Sequence, residues 1–178
     1  RQGVRYNAAG ERLSFELMAA SGNRTIETVE QVLQSQWRRI GVDIRIRNEP
    51  ARVFFGETVR KRKYPAMALF AWVSSPENVP RTTLYSDQIP TAENNYSGQN
   101  DTGFSNAEVD SLIERIEVEL DKEKRRPMWR RLQELYIEQL PVLPLYFRAD
   151  PFVVPKWLTG IEPTGHQDVS TLWVENWR

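Results

Sequence analysis

The 178-residue sequence predicts an α/β fold, a mixed sheet flanked by helices. Three observations carry that expectation. Residues 13–20 alternate, with Leu13, Phe15, Leu17 and Ala19 on one side and Ser14 and Glu16 on the other, the period-two pattern of a strand. Residues 25–40 switch to spacings of three and four, with Ile26, Val29, Val32, Leu33, Trp37 and Ile40 as the apolar stripe of a helix. Val42, Ile44 and Ile46 then return to alternation against Asp43, Arg45 and Arg47. Strand, helix and strand in this order predict a βαβ unit, whose strands run parallel through a right-handed crossover.

The punctuation agrees. Gly22-Asn23 breaks the first strand, and Gly41 stands where a helix C-cap needs a left-handed residue. A short helix is expected over residues 53–62, with Val53, Phe54 and Val59 toward the sheet and basic residues at its C-terminal end. The unbroken apolar run of residues 66–73 predicts a central strand buried on both faces.

From residue 76 to 103 the chain turns polar, with Pro, Asn, Ser and Thr and no periodicity, which predicts an ordered functional loop. Ser105-Asn106 offers an N-cap for a helix whose apolar face is Val109, Leu112, Ile113, Ile116 and Leu120. Asp121 caps a second helix to about Gln139, with Trp129, Leu132, Tyr136 and Leu140 inward and Pro127 as a kink or a start. Strands are predicted over residues 141–148 and 152–154, followed by an aromatic, loop-rich tail. The whole of 1–178 is expected to be one domain.

Composition narrows the function classes. Lys plus Arg and Asp plus Glu both number 24, so no net basic charge points to nucleic acid. The basic runs at residues 60–63, 124–126 and 130–131 are expected to be solvated helix faces. With no Cys, disulfides, thiolate chemistry and Cys-based zinc sites are excluded. The lone His166, near Asp168 and Ser170, forms neither a multi-His metal site nor a triad, and no Gly-rich phosphate loop appears, so no cofactor is expected. Carboxylate pairs are abundant, but none lies in an apolar segment that would tune it for acid–base work, so no enzyme is expected.

Several local signatures then meet this order of elements. They are Gln36-Trp-Arg-Arg-Ile-Gly-Val-Asp43, Ala71-Trp-Val-Ser-Ser-Pro76, Gly103-Phe-Ser-Asn-Ala-Glu-Val-Asp-Ser-Leu-Ile113, Leu140-Pro-Val-Leu-Pro-Leu-Tyr146 and Trp157-Leu-Thr-Gly160. Together they resemble the C-terminal portion of the family 5 extracellular solute-binding proteins, the dipeptide and oligopeptide receptors of ABC importers. The resemblance covers almost the whole chain. It implies the C-terminal lobe of a type II periplasmic-binding-protein clamshell, itself a piece of a larger chain. The implied partners are a small peptide-like solute, the N-terminal lobe of the same parent chain and an ABC permease. The implied location is periplasmic or extracytoplasmic and membrane-anchored, with the targeting segment outside this chain. The alternatives are a ligand-sensing domain of a transcription regulator and a receptor for a non-peptide solute such as a sugar.

The resemblance also places the ligand cleft after the strand ending in Trp72. Peptide receptors of the family usually carry an Asp three residues beyond that Trp, to hold the ligand's α-amino group. This sequence has Ser75 there, and a hydroxyl supplies no charge to an ammonium. Glu77 lies two residues on. Trp72 is expected either to stack on a ligand or to cap the core. Ser74, Ser75, Asn78, Asn95, Tyr96 and Asn100 are expected either to hydrogen-bond a polar ligand or to serve turn chemistry. Arg148, after an apolar strand, is expected to face a carboxylate or to form a surface ion pair.

Overall fold

The computed structural model describes residues 3–73, 75, 78–147, 149, 151–163 and 170–178. Ser74 and Arg148, both predicted ligand contacts, lie outside these residues, as do Glu77, His166 and Asp168. The chain divides into two compact units, 1–71 with 81–111 and 72–80 with 112–178.

The first unit is built on a βαβ core. Strand β1 (Ser14–Ala19) leads into helix α1 (Arg24–Arg39) and then strand β2 (Asp43–Ile46). β1 and β2 are parallel, with Ser14 opposite Asp43 and Leu17 opposite Ile46. The α1 start follows from its cap: the Asn23 side chain accepts from the Thr25 and Ile26 N–H groups. Its end follows from Gly41, whose φ of +85° turns the chain and whose N–H reaches the Arg38 carbonyl at 3.1 Å. A Cβ at that position would meet Arg5 Cγ at 2.6 Å, so the turn also needs the missing side chain.

Strand β3 (Met67–Leu69) pairs parallel with β1 on the side away from β2, giving the order β2-β1-β3. The strand buried on both faces is therefore β1 and not the 66–73 run. Leu17, Met18 and Ala19 are all buried in succession, whereas Met67–Leu69 is half-buried and has one paired edge among the described residues. Helix α1 packs on β1 and β2. Met18 packs instead with Phe54 and Val59, and the strand's alternation turns Leu17 and Ala19 to the opposite face. Two covered faces thus override the alternation of the sequence, and Phe15, earlier on the same strand, stays partly exposed.

Phe54 and Val59 come from a short helix that widens. Helix α2 (Ala51–Val53) continues into a π-helical turn (Phe54–Val59), in which the Arg60 N–H reaches back five residues to the Phe55 carbonyl. Phe54 is fully buried and meets Phe55 and Phe70 edge to face, at centroid separations of 5.0 and 6.3 Å. Val53, expected inward, is exposed, because the wider turn brings Phe54, Thr58 and Val59 inward.

The buried stripe of α1 is Ile26, Val29, Glu30, Leu33, Gln34 and Trp37, with Glu30 fully buried and the others partly so. Val32 and Ile40, expected inward, are exposed. The spacing that starts at Ile26 selects Glu30 and Gln34, and each finds a partner. Gln34 Nε2 donates to the Ile44 carbonyl at 2.7 Å, and Asn48 Nδ2 donates to Glu30 Oε2 at 2.7 Å.

The polar stretch holds helix α3 (Arg81–Leu84) and a 3₁₀ turn (Ser86–Gln88). Helix α4 (Ala107–Val118) is capped by Asn106, whose Oδ1 accepts from the Glu108 and Val109 N–H groups. Val109, Leu112, Ile113 and Ile116 are buried as expected, while Leu120 lies beyond the helix and is exposed. In the second unit, helix α5 (Lys122–Gln139) starts at its Asp121 cap and carries Pro127 inside it. Leu132 and Leu135 are its buried residues, and Leu140, at φ +45°, closes it exposed rather than inward.

Residues 141–147 and 151–155 form no strand, contrary to expectation. A strand needs a partner for its N–H and C=O groups, and among the described residues none lies beside them. Many of their side chains, Leu143, Tyr146, Phe147, Phe152 and Val153 among them, are exposed. The tail ends in a 3₁₀ segment (Ser170–Asn176), and Thr159 and Arg178 exchange both backbone hydrogen bonds.

Candidate ligand-binding site

The predicted contacts fall in two places. In the second unit, Trp72 is 53% exposed, so about half of its surface is open to a ligand. Three residues on, the Ser75 carbonyl accepts from the Asn78 N–H at 3.3 Å. Ser75 and Asn78 line a cavity of about 600 Å³ whose other wall is α5. That wall carries Lys122, Arg125, Arg126, Trp129, Arg130 and Gln133. Their spacing by threes and fours puts them on one helix face. The basic residues of this stretch are mostly solvent-exposed, as expected, and Trp129 is partly buried; what the sequence-based expectation lacks is that they share one concave wall. The signal was present in the spacing, since Arg125, Trp129 and Gln133 are four apart.

In the first unit, Asn95 and Tyr96 sit in one turn, both in the left-handed region at φ +56° and +53°. Left-handed backbone costs a non-glycine residue roughly 1–2 kcal/mol, so the surrounding bonds must impose it. Asn94 does so. Its Oδ1 accepts from the Thr91 and Ser97 N–H groups, and its Nδ2 donates to the Ile89 carbonyl at 2.8 Å. The Tyr96 N–H closes on the Thr91 carbonyl at 2.7 Å. Lys61 Nζ stands 5.6 Å from the Tyr96 ring centre, a cation–π contact. Asn95 remains exposed. The organiser of this turn, Asn94, is not distinguished by the sequence pattern, because the next residue, Asn95, is of the same type.

Asn100 is different. It is fully buried, and both its amide hydrogens and its oxygen are taken up within the loop, by Tyr85, Phe104 and Thr102. Nothing of that amide is left for a ligand, so turn chemistry is its role. Beside it, Asp101 is buried and desolvation pushes its carboxyl up to about 6, against a smaller opposing pull from Arg62. The Asp101 carbonyl accepts from the Tyr64 hydroxyl at 2.6 Å. Among the described residues no cluster of three or more His, Cys, Asp or Glu is arranged for a metal, and no helix is long and apolar enough to cross a membrane.

No family model matches the chain. Curated relatives do. The chain is 26% identical over 145 residues to the oligopeptide-binding protein OppA of Bacillus subtilis, an alignment that covers 79% of this chain and 25% of that protein. It is 28% identical over 147 residues to the dipeptide-binding protein DppE of the same organism, covering 80% of this chain and 24% of that one. Among solved structures, the oligopeptide-binding protein of Thermus thermophilus, complexed with a pentapeptide, superposes with a TM-score of 0.77 and 35% identity, over 90% of this chain and 29% of that one. The chain thus spans about a quarter of the length of the curated relatives it matches. By sequence and by fold, it is a homologue of the family 5 extracellular solute-binding proteins.

Proposed function

We propose that the chain is the C-terminal-lobe portion of an extracytoplasmic receptor that captures a small, peptide-like solute for an ABC importer. The observation that carries this reading is Trp72. It is a half-exposed aromatic placed three residues after a parallel strand, and Ser75 and Asn78, a little further along the chain, line a cavity. Parallel α/β sheets bind ligands beyond the carboxyl ends of their strands, and aromatic walls with a few polar groups are what such sites need. The kinship with proteins named for oligopeptide and dipeptide binding supports the same conclusion.

On this reading Trp72, Ser75 and Asn78 contact the solute, with Ser74 and Arg148 as further contacts. Asn95 and Tyr96 offer a separate, strained polar turn. The N-terminal lobe of the same parent chain supplies the opposing wall, and closure of the two lobes is what the permease recognises. The chain binds and releases without covalent chemistry. Ser75 favours a second reading of the ligand. A neutral hydroxyl beside a wall of cations is a poor seat for an ammonium, so a solute without a free amine at that point fits better.

Native mass spectrometry of the gently purified full-length parent protein tests the proposal. A set of retained masses matching short peptides is the expected result. A single non-peptide mass moves the assignment to another solute class. No retained mass, together with no heat of binding for short peptides, overturns the receptor reading.

A further inference from the structure

Resting on the receptor reading above, we propose that the cavity of the second unit is an anion subsite, in which a side-chain carboxylate of the bound peptide is held by the cationic face of α5. The face presents Lys122, Arg125, Arg126 and Arg130 around Trp129, over a cavity of about 600 Å³.

Among the described residues, the charge there is only partly compensated. Arg126 shares its charge with Glu123 at 3.2 Å in a well-exposed pair, and Lys124, which does not line the cavity, stands 3.9 Å from Asp121. Among the described residues, Lys122, Arg125 and Arg130 make no ion pair. Four like charges one and two helical turns apart repel one another, and the chain as a whole has no excess charge that would demand such a cluster. Arg125 adds a second, independent observation. Its Nε is buried from solvent and makes no hydrogen bond. A buried N–H without an acceptor is rare in folded proteins and costs its full desolvation. Where the Arg125 side chain turns its guanidinium into the cavity that it lines, an oxyanion there supplies that acceptor.

The chemistry narrows the ligand. Guanidinium groups bind carboxylates through paired N–H donors, more strongly than neutral partners do. Trp129 supplies an apolar flank on which the carbon skeleton beside the carboxylate rests. Among the described residues, Ser75 and Asn78 line the opposite side with neutral donors and acceptors. A concave site with a few cations and one aromatic suits a single acidic group better than a phosphate backbone, which needs an extended basic track.

The test uses the full-length parent protein and calorimetric titration at low salt with three probes: triglutamate, triglutamine and inorganic phosphate. Triglutamate is expected to bind about tenfold or more tightly than triglutamine, the scale of one charge-assisted contact. Replacing Arg125→Gln together with Arg130→Gln is expected to bring the two peptides to within roughly threefold of each other. Arg130→Gln alone leaves Arg125 in place, and is expected to lower the preference with an unchanged thermal unfolding curve. Equal affinity of the two peptides for the native protein overturns the subsite, and so does a preference that survives the double substitution; triglutamine binding in either case leaves the receptor reading standing. If neither peptide binds while phosphate binds in an Arg125-dependent and Arg130-dependent way, the receptor reading falls, and the carboxylate assignment falls with it.

Discussion

Asn100 and Phe104 hold each other by a reciprocal pair of hydrogen bonds. Asn100 Nδ2 donates to the Phe104 carbonyl at 2.8 Å, and the Phe104 N–H donates back to Asn100 Oδ1 at 3.1 Å. The side chain thus pairs with the N–H and C=O of one residue, as a residue on a neighbouring antiparallel strand would. Its other amide hydrogen reaches the Tyr85 carbonyl at 3.0 Å, so one buried residue ties three points of the polar stretch together.

Among the described residues, Asn100→Ala leaves the Phe104 carbonyl without a partner, and leaves the Tyr85 carbonyl and the Phe104 N–H with only the Gln88 N–H and Thr102 Oγ1. Each buried unmet group costs about 1–3 kcal/mol. Thermal unfolding is expected to show a loss of about 3 kcal/mol. Asn100→Asp keeps the shape but loses both donors, and is expected to be nearly as damaging. A ligand contact would instead lower affinity and leave the unfolding midpoint in place.

Glu30 carries a pH dependence. Burial pushes its carboxyl above the ordinary range, with the Asn48 amide opposing and Glu27 adding to the rise. Its other oxygen, Oε1, is buried without a partner. A raised folded-state pKa favours the protonated form on folding. The stabilising contribution is therefore complete below the unfolded-state pKa and is lost as pH rises through the folded-state value. Glu30→Gln removes the titration. The variant is expected to be at least as stable as the native chain at pH 7, and less pH-dependent between pH 4 and pH 7, in denaturant unfolding at a series of pH values.

Asp101 works in the same direction. Its carboxyl sits at about 6 against an ordinary value of 3.8. Its contribution is full below the ordinary value and declines as pH rises through about 6. Asp101→Asn is expected to flatten the stability profile around that pH. A profile that stays as steep in this variant would show that the carboxyl does not titrate there.

Phe54→Ala is expected to be the most disruptive single change in the first unit. The ring is fully buried and touches Met18 and Val59 as well as the edges of Phe55 and Phe70. Core Phe-to-Ala changes cost about 3–5 kcal/mol. Phe55→Ala, on the exposed side of the same π-helical turn, is expected to cost much less in the same unfolding experiment.

Trp72→Ala separates the binding role from the structural one. With half of the ring exposed, its loss is expected to change the unfolding midpoint of the full-length parent little. Removing an aromatic anchor from a ligand site typically costs about 2 kcal/mol or more of affinity. A titration with the solute identified by mass spectrometry checks this. A large drop in stability with unchanged affinity would assign Trp72 to the core after all.

Much of the fold was legible in the sequence by itself. The alternation of residues 13–20 and 42–46, the three-and-four spacing between them and the Asn23 and Gly41 punctuation determine the βαβ unit, because these are local rules of backbone geometry and capping. The Asn106 and Asp121 caps placed α4 and α5 for the same reason. The tertiary structure alone decided which strand is central and which polar groups are buried. β1 took the centre because both its edges found parallel partners, and Glu30 entered the core because the stripe begun at Ile26 passes through it. The candidate site divides along the same line. Trp72, Ser75 and Asn78 stand out as residue types at the end of an apolar run and just beyond it. That Asn100 is consumed by its own loop, and that Arg125 and Arg130 share a cavity with Ser75, depends on contacts between segments far apart in the chain, which no local pattern encodes.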